Sequence, residues 1–207
     1  MLRVLGRKNS SNVQKVMWAI GELKLAHERV DVGGPFGGTK EPAYLAKNPN
    51  GLVPTLEDGE VTLWESNSIV RYLAARYGAG TLEPAELKHR ALASQWMDWQ
   101  LSVLGPAITP VFWGLVRTPK EERDEAAIDA AAAKTTEAIK LLNLRLGSSA
   151  FVAGNFFSMG DIPVGVMAFR YRELVRNRPN LPNFERWYGA LENREPFRTH
   201  VTSIPLT

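Results

Sequence analysis

At 207 residues, with 44% hydrophobic and 23% charged residues, the chain has ordinary soluble-globular composition and room for one large domain or two small ones. Its formal net charge of +3 is spread over 25 basic and 22 acidic residues without a dense basic run, a solvated surface rather than a nucleic-acid footprint. There is no cysteine, which excludes disulfides, Cys-ligated metal and a protein thiol nucleophile; any thiol chemistry needs a sulfur carried in by a ligand. In chain order, Leu2–Leu5 reads as a buried strand. Val13, Val16, Met17, Ile20 and Leu23 recur at helical spacing and predict a helix from about Asn12. His27–Val32 reads as a second strand, the run 33–38 as a Gly-rich loop, and 41–47 as a short helix ended by Asn48-Pro49. Val53–Leu56 and Glu60–Leu63 predict a hairpin around Asp58-Gly59, and Ile69, Val70, Leu73 and Tyr77 a third helix.

Tyr77–Pro84 has linker composition, and the rest of the chain reads as helical. Leu87, Ala91, Trp96, Trp99 and Val103 lie along one long helix that Gly105-Pro106 and Pro110 are expected to kink or interrupt. Ile128 to Leu146 carries a regular apolar stripe with Gly147 as a C-cap, Ile162 to about Val175 forms another helix, and Phe184–Leu191 a last one. No uninterrupted apolar run approaches about 18–20 residues, so no spanning helix is expected, and Met1–Gly6 meets charge too early for a signal peptide. His27, His89 and His200 are far apart, without metal-ligand spacing, and no metal site is expected.

Two segments about ten residues apart carry the chemistry. An X-Pro bond entering a strand, here Val53-Pro54, can be cis and turn the Val53 backbone groups outward, where an extended peptide pairs with them as an added strand. Glu65-Ser66 opens a helix whose free N–H groups and positive dipole end can capture a carboxylate, while Glu65 holds a neighbouring ammonium. A ligand with a peptide-like middle and a zwitterionic end satisfies both devices, and glutathione is such a ligand. The turn Asn9-Ser10-Ser11-Asn12 offers more polar side chains than helix capping requires. Gly38-Thr39-Lys40 has the wrong order for a phosphate loop, and Lys40 is a candidate for the glycyl carboxylate. Ser158 to Asp161 fits a capping box, with Phe157 and Ile162 at staple offsets, so Asp161 reads as structural; Pro163 is expected to distort that helix.

Leu52-Val53-Pro54-Thr55-Leu56 with Glu65-Ser66-Asn67-Ser68-Ile69 resembles the glutathione-binding half of the glutathione transferase family. The resemblance runs from the opening strand to Phe157-Ser158-Met159-Gly160-Asp161-Ile162. It implies an α/β thioredoxin-like domain (βαβαββα) over residues 1–77, a linker at 78–85 and an all-α helical bundle over 86–207. The first turn resembles the bacterial serine-type members. Ser10 matches the thiol-activating serine, Ser11 is a rival one position on, and Asn12 is an assisting polar residue. Glutathione would be the co-substrate, bound through Lys40, Val53, Pro54, Glu65 and Ser66. The resemblance further implies a small hydrophobic electrophile against Leu104, Ile108, Phe112 and Trp113, with Tyr171 and Thr202-Ser203 as possible neighbours. It also implies a cytoplasmic homodimer packed through the Trp96 and Trp99 helix, acting in detoxification without nucleic-acid or membrane partners. One departure is Leu52, where many relatives carry a polar residue. Two other functions fit the same features: a glutathione-dependent disulfide reductase, kept open by Asn12, and a non-catalytic carrier of apolar ligands.

Overall fold

The computed structural model describes residues 1–207. Its first part is a four-stranded sheet of order β2-β1-β3-β4, built from β1 (Leu2–Leu5), β2 (His27–Val30), β3 (Thr55–Asp58) and β4 (Val61–Trp64). β1 runs parallel to β2, with Leu2 opposite His27, and antiparallel to β3, with Leu5 opposite Thr55. The parallel pair needs a crossover, which is supplied by α1 (Ser11–Glu22). α2 (Pro42–Leu45) and α3 (Ser66–Tyr77) complete the βαβαββα order. The hairpin lies one or two positions later than expected. Asp58 pairs with Val61, so Gly59 (φ 61°) and Glu60 make the turn, and β3 begins only after Pro54, which has no N–H to give a ladder.

The second part is helical: α4 (Leu87–Trp99), α5 (Gly105–Phe112), α6 (Glu125–Leu146), α7 (Asp161–Leu174), α8 (Pro182–Glu192) and α9 (Glu195–Phe197). The expected break at Gly105-Pro106 does not occur. Residues 87–117 form one continuous helix, wound more loosely at Gln100–Leu104 and Trp113–Arg117. The wide turn absorbs the missing N–H groups and ring bulk of Pro106 and Pro110. Gly105 is needed there, because a Cβ would stand 2.9 Å from the Gln100 carbonyl oxygen. Contrary to the sequence expectation, this helix reaches the length and apolarity of a membrane-crossing segment, with mean hydropathy 1.2 over 18 residues. One side of it packs on α6 and α7 of the same chain, which bury a third of that apolar window.

The core runs continuously through both parts. Every side chain from Val13 to Ile20 is buried, because α1 meets α3 on one side and α7 and α9 on the other. Gly6 allows β1, α1 and the Val53-Pro54 segment to converge: a Cβ there would lie 2.5 Å from Val13 Cγ2 and 3.2 Å from Val53 Cβ. Pro163 falls in the first turn of α7, where its missing N–H would have had no helical partner, and it breaks nothing. Gly147 keeps right-handed helical dihedrals rather than a left-handed cap. Tyr171 is wholly buried beside Phe184 with its hydroxyl near Thr136 at 3.3 Å, so it belongs to the core and not to a pocket.

Candidate glutathione and electrophile site

The Val53-Pro54 peptide bond is cis. The Leu52 carbonyl accepts from Tyr44 (2.6 Å) and Asn48 (2.8 Å), whereas neither backbone polar group of Val53 has a partner within the chain. Leu52 itself is 63% exposed. Lys40 is exposed and forms no ion pair, and its Nζ would lie 2.8 Å from a Cβ on Gly51, two residues before Val53.

Glu65 initiates α3 with φ 68° and ψ 109°, a sparsely populated conformation for a residue with a Cβ. Such backbone strain, about 1–3 kcal/mol, persists where surrounding structure enforces it and gathers at ligand sites. No side chain caps the α3 N-terminus, so its first N–H groups are free to bind an anion. Ser66 is 4% exposed and its Oγ donates to Asn12 Oδ1 at 3.3 Å, joining the first turn of α1 to that of α3.

Sequence reasoning missed the group beneath this junction. Lys15 is fully buried, and its Nζ donates to Gln100 Oε1 (2.9 Å), Asn12 Oδ1 (3.1 Å) and Ser66 Oγ (3.4 Å). Burial is the main reason its pKa falls to about 7; Arg170 lowers it further and Glu65 acts the other way. The signal in the sequence was a lysine, next to Gln14, inside the mostly apolar stretch Val13–Ile20. Its partner Gln100 lies 85 residues away, beyond any local pattern.

Ser10 is the N-cap of α1 in extended conformation, only 9% exposed, and its hydroxyl makes no hydrogen bond within the chain. Ser11 and Asn12 line an open cleft of about 400 Å³ between α1 and the long helix, together with Lys15, Gln100 and Arg170. The opposite wall of the cleft is not the expected one. Leu104, closing the loosely wound turn, and Ile108 on α5 are wholly buried in the core, because the side of the long helix that carries them packs on α6 and α7. Gly105, Pro106, Thr109 and Pro110 face the cleft instead. Phe112 is 6% exposed beneath Arg170, whose guanidinium lies 4.0 Å from the ring centroid, and Trp113 is 59% exposed outside the cleft. Thr202 and Ser203 are also outside it, Ser203 lining a separate hollow with His27 and His200.

Asp161 stands apart. Its carboxylate is wholly buried and accepts from Val152 N (3.0 Å), Ser158 N (3.0 Å), Ser158 Oγ (3.2 Å) and Trp187 Nε1 (2.9 Å). The reach back to Ser158 N is the capping-box contact read from the sequence. Phe157 packs on Trp18 at 5.6 Å, with Arg194 stacked over it at 3.8 Å.

A parallel-antiparallel sheet with a strand-entry proline and an uncapped α3, backed by a helical bundle, defines a glutathione-binding protein class, and comparisons agree. Residues 5–84 match the family "Glutathione S-transferase, N-terminal domain" and residues 103–195 "Glutathione S-transferase, C-terminal domain". The chain is 41% identical to glutathione S-transferase GstB of Escherichia coli (strain K12), across the full length of both. It is 44% identical to a theta class glutathione S-transferase of Xanthomonas axonopodis pv. citri solved with glutathione bound, at TM-score 0.94 over 100% of this chain and 99% of that one. Glutathione S-transferase 4 of Zea mays is 29% identical over 93% of this chain and 88% of its own. The protein belongs to the glutathione S-transferase family, and transferase activity with glutathione as co-substrate follows from that membership.

Proposed function

We propose that the protein binds reduced glutathione across Val53 and the α3 N-terminus, stabilises its thiolate with Ser10 and adds the sulfur to an electrophile in the adjoining cleft. The observation that carries this reading is the free Ser10 hydroxyl at the N-terminus of α1, a helix that packs through Val13 beside Gly6 and the unpaired Val53 backbone. The Val53 groups pair with the cysteinyl backbone of the tripeptide. The γ-glutamyl carboxylate binds at Ser66 and its ammonium at Glu65, while Lys40 meets the glycyl carboxylate. Residues 1–77 thus form the glutathione-binding domain and 86–207 the helical domain, joined by 78–85.

A free thiol has a pKa of about 8.5, so only a few per cent is ionised at neutral pH. Lowering it by two units requires about 2.7 kcal/mol of preferential stabilisation of the thiolate. A hydroxyl donating to sulfur at the positive end of α1 is of the right kind and size. Ser10 is then a donor to the nucleophile and neither base nor nucleophile. Ser11, one position on, is the rival donor. Asn12 serves as a tie between α1 and α3, since its Oδ1 already accepts from Lys15 and Ser66. The protein is read as a cytoplasmic homodimer acting in detoxification. Trp96 is only 7% exposed and packed on Trp99 within the chain, so the dimer face on α4 is carried by other residues, among them the 77% exposed Leu87.

Titration of thiolate absorbance in the glutathione complex tests the assignment. The wild type is expected to give a thiol pKa below about 7, and Ser10→Ala to return it toward the free value of about 8.5. If Ser11→Ala returns it and Ser10→Ala does not, the donor is Ser11; an unshifted wild-type pKa would refute thiolate activation.

A further inference from the structure

The cleft contains a cation that the reading above leaves without work. Arg170, on α7, is 9% exposed, and its Nε is fully buried with no hydrogen-bond partner. No carboxylate stands within ion-pair distance of it; its guanidinium rests on the Phe112 ring at 4.0 Å. Arg7 and Arg117 are likewise without a carboxylate partner. The Arg117 guanidinium lies 5.7 Å from the centroid of the same ring, and Arg7 leans on Gly34, its Nε 3.0 Å from where a Cβ would be. Burial lowers the Arg170 pKa to about 10, and repulsion from Arg117 and then Arg7 adds to it. No Asp or Glu lines the cleft. Of the other arginines all but the exposed Arg176 are engaged, for example Arg194 with Glu22, Arg71 with Asp98, and Arg123 and Arg145 with backbone carbonyls. Buried charge is normally paired, and a buried arginine with two like charges nearby is retained only against a cost that a bound counter-ion removes.

Resting on the transferase reading, we propose that the electrophile carries a carboxylate, seated by Arg170 with Arg7 and Arg117 around it, while its apolar body lies against Pro106 and Pro110. The two carboxylates of glutathione have their own receptors in that reading, at the α3 N-terminus and at Lys40, so this third cationic site remains for the second substrate. The guanidiniums also offset the repulsion between an anionic substrate and the thiolate. In a substitution, the thiol proton has passed to solvent, sulfur forms a bond to the electrophilic carbon, and the leaving group departs with the electron pair of the broken bond. The carboxylate is unchanged, and Arg170 acts as a specificity residue.

The test is calorimetric binding of glutathione and two matched pairs of S-conjugates: S-(2-carboxyethyl) with S-(2-carbamoylethyl)glutathione, and S-(4-carboxybenzyl) with S-(4-carbamoylbenzyl)glutathione. In at least one pair the wild type should bind the carboxylate tenfold or more tightly than its amide, with a preference that shrinks as salt is raised. Arg170→Met should abolish the preference and leave glutathione itself within twofold. Arg117→Met, at an exposed position where folding is not at risk, should reduce the preference about threefold. Equal affinity within both pairs overturns the proposal. So does an equal loss of glutathione and all conjugates in Arg170→Met, which would assign the arginine to the tripeptide. Failure of the wild type to bind glutathione would overturn the transferase reading beneath it, a result distinguishable from the other two.

Discussion

Asp161 and Arg170 lie on the same helix, both at least nine-tenths buried, and their surroundings are opposite. Four donors enclose the Asp161 carboxylate, whereas the Arg170 guanidinium has an aromatic face and no acceptor. Burial pushes the Asp161 pKa up to about 6 against the pull of those donors, and pushes that of Arg170 down to about 10. The contrast separates two reasons for keeping a charge inside a protein. A charge whose hydrogen bonds are all made within the chain organises the fold, here pinning the 152 turn, the start of α7 and Trp187 together. A charge left unsatisfied beside a cleft is a binding element whose partner comes from outside.

The largest effect is expected at the satisfied charge. Asp161→Ala leaves the N–H groups of Val152, Ser158 and Trp187 buried without acceptors, and each such loss costs roughly 1–3 kcal/mol. Urea unfolding should show a loss of about 3–5 kcal/mol, with the thiol pKa of the folded glutathione complex unchanged. A loss below about 1 kcal/mol would break the comparison at its stronger end.

Lys15 lies between the two extremes, since it is fully buried but has three acceptors. Its folded pKa of about 7 is below the ordinary 10.5. Below pH 7 both folded and unfolded chains hold this proton and the burial penalty is complete. Between about 7 and 10.5 the unfolded chain alone retains it, so this group makes stability rise with pH. The wild type should therefore gain about 2–4 kcal/mol across that window relative to Lys15→Met, a bound set by about 1.4 kcal/mol per pKa unit. Parallel stability profiles for the two proteins would show that Lys15 keeps its ordinary acidity, its three acceptors offsetting the cost of burial.

The smallest effect is expected at the unsatisfied charge, and with opposite sign. Arg170→Met removes repulsion and burial penalty while keeping a long apolar stem over Phe112, so unfolding free energy should increase by about 1 kcal/mol. Destabilisation by more than about 1 kcal/mol would mean that Arg170 supports the fold, and the distinction drawn from α7 would fail.

Much of this was legible in the sequence because the devices are local. The strand-entry Val53-Pro54, the helix-opening Glu65-Ser66 and the polar turn Ser10 to Asn12 each depend on residues within a few positions of one another. Asp161 was readable for the same reason, since its capping contact with Ser158 spans three residues. The helices announced themselves by apolar periodicity, but periodicity tells which positions are apolar and not which neighbour covers them. The long helix has small or apolar residues almost all round between Val103 and Phe112, so the sequence could not distinguish Leu104 and Ile108, which enter the core, from Pro106 and Pro110, which face the cleft. The loosely wound turns at Gln100 and Trp113 likewise depend on how the long helix packs. Only the tertiary structure could bring Gln100 to Lys15, or leave Arg170 without an acid, because both facts depend on contacts between segments distant along the chain. Short-range order came from the sequence pattern; the electrostatic character of the cleft came from what folding placed there and what it withheld.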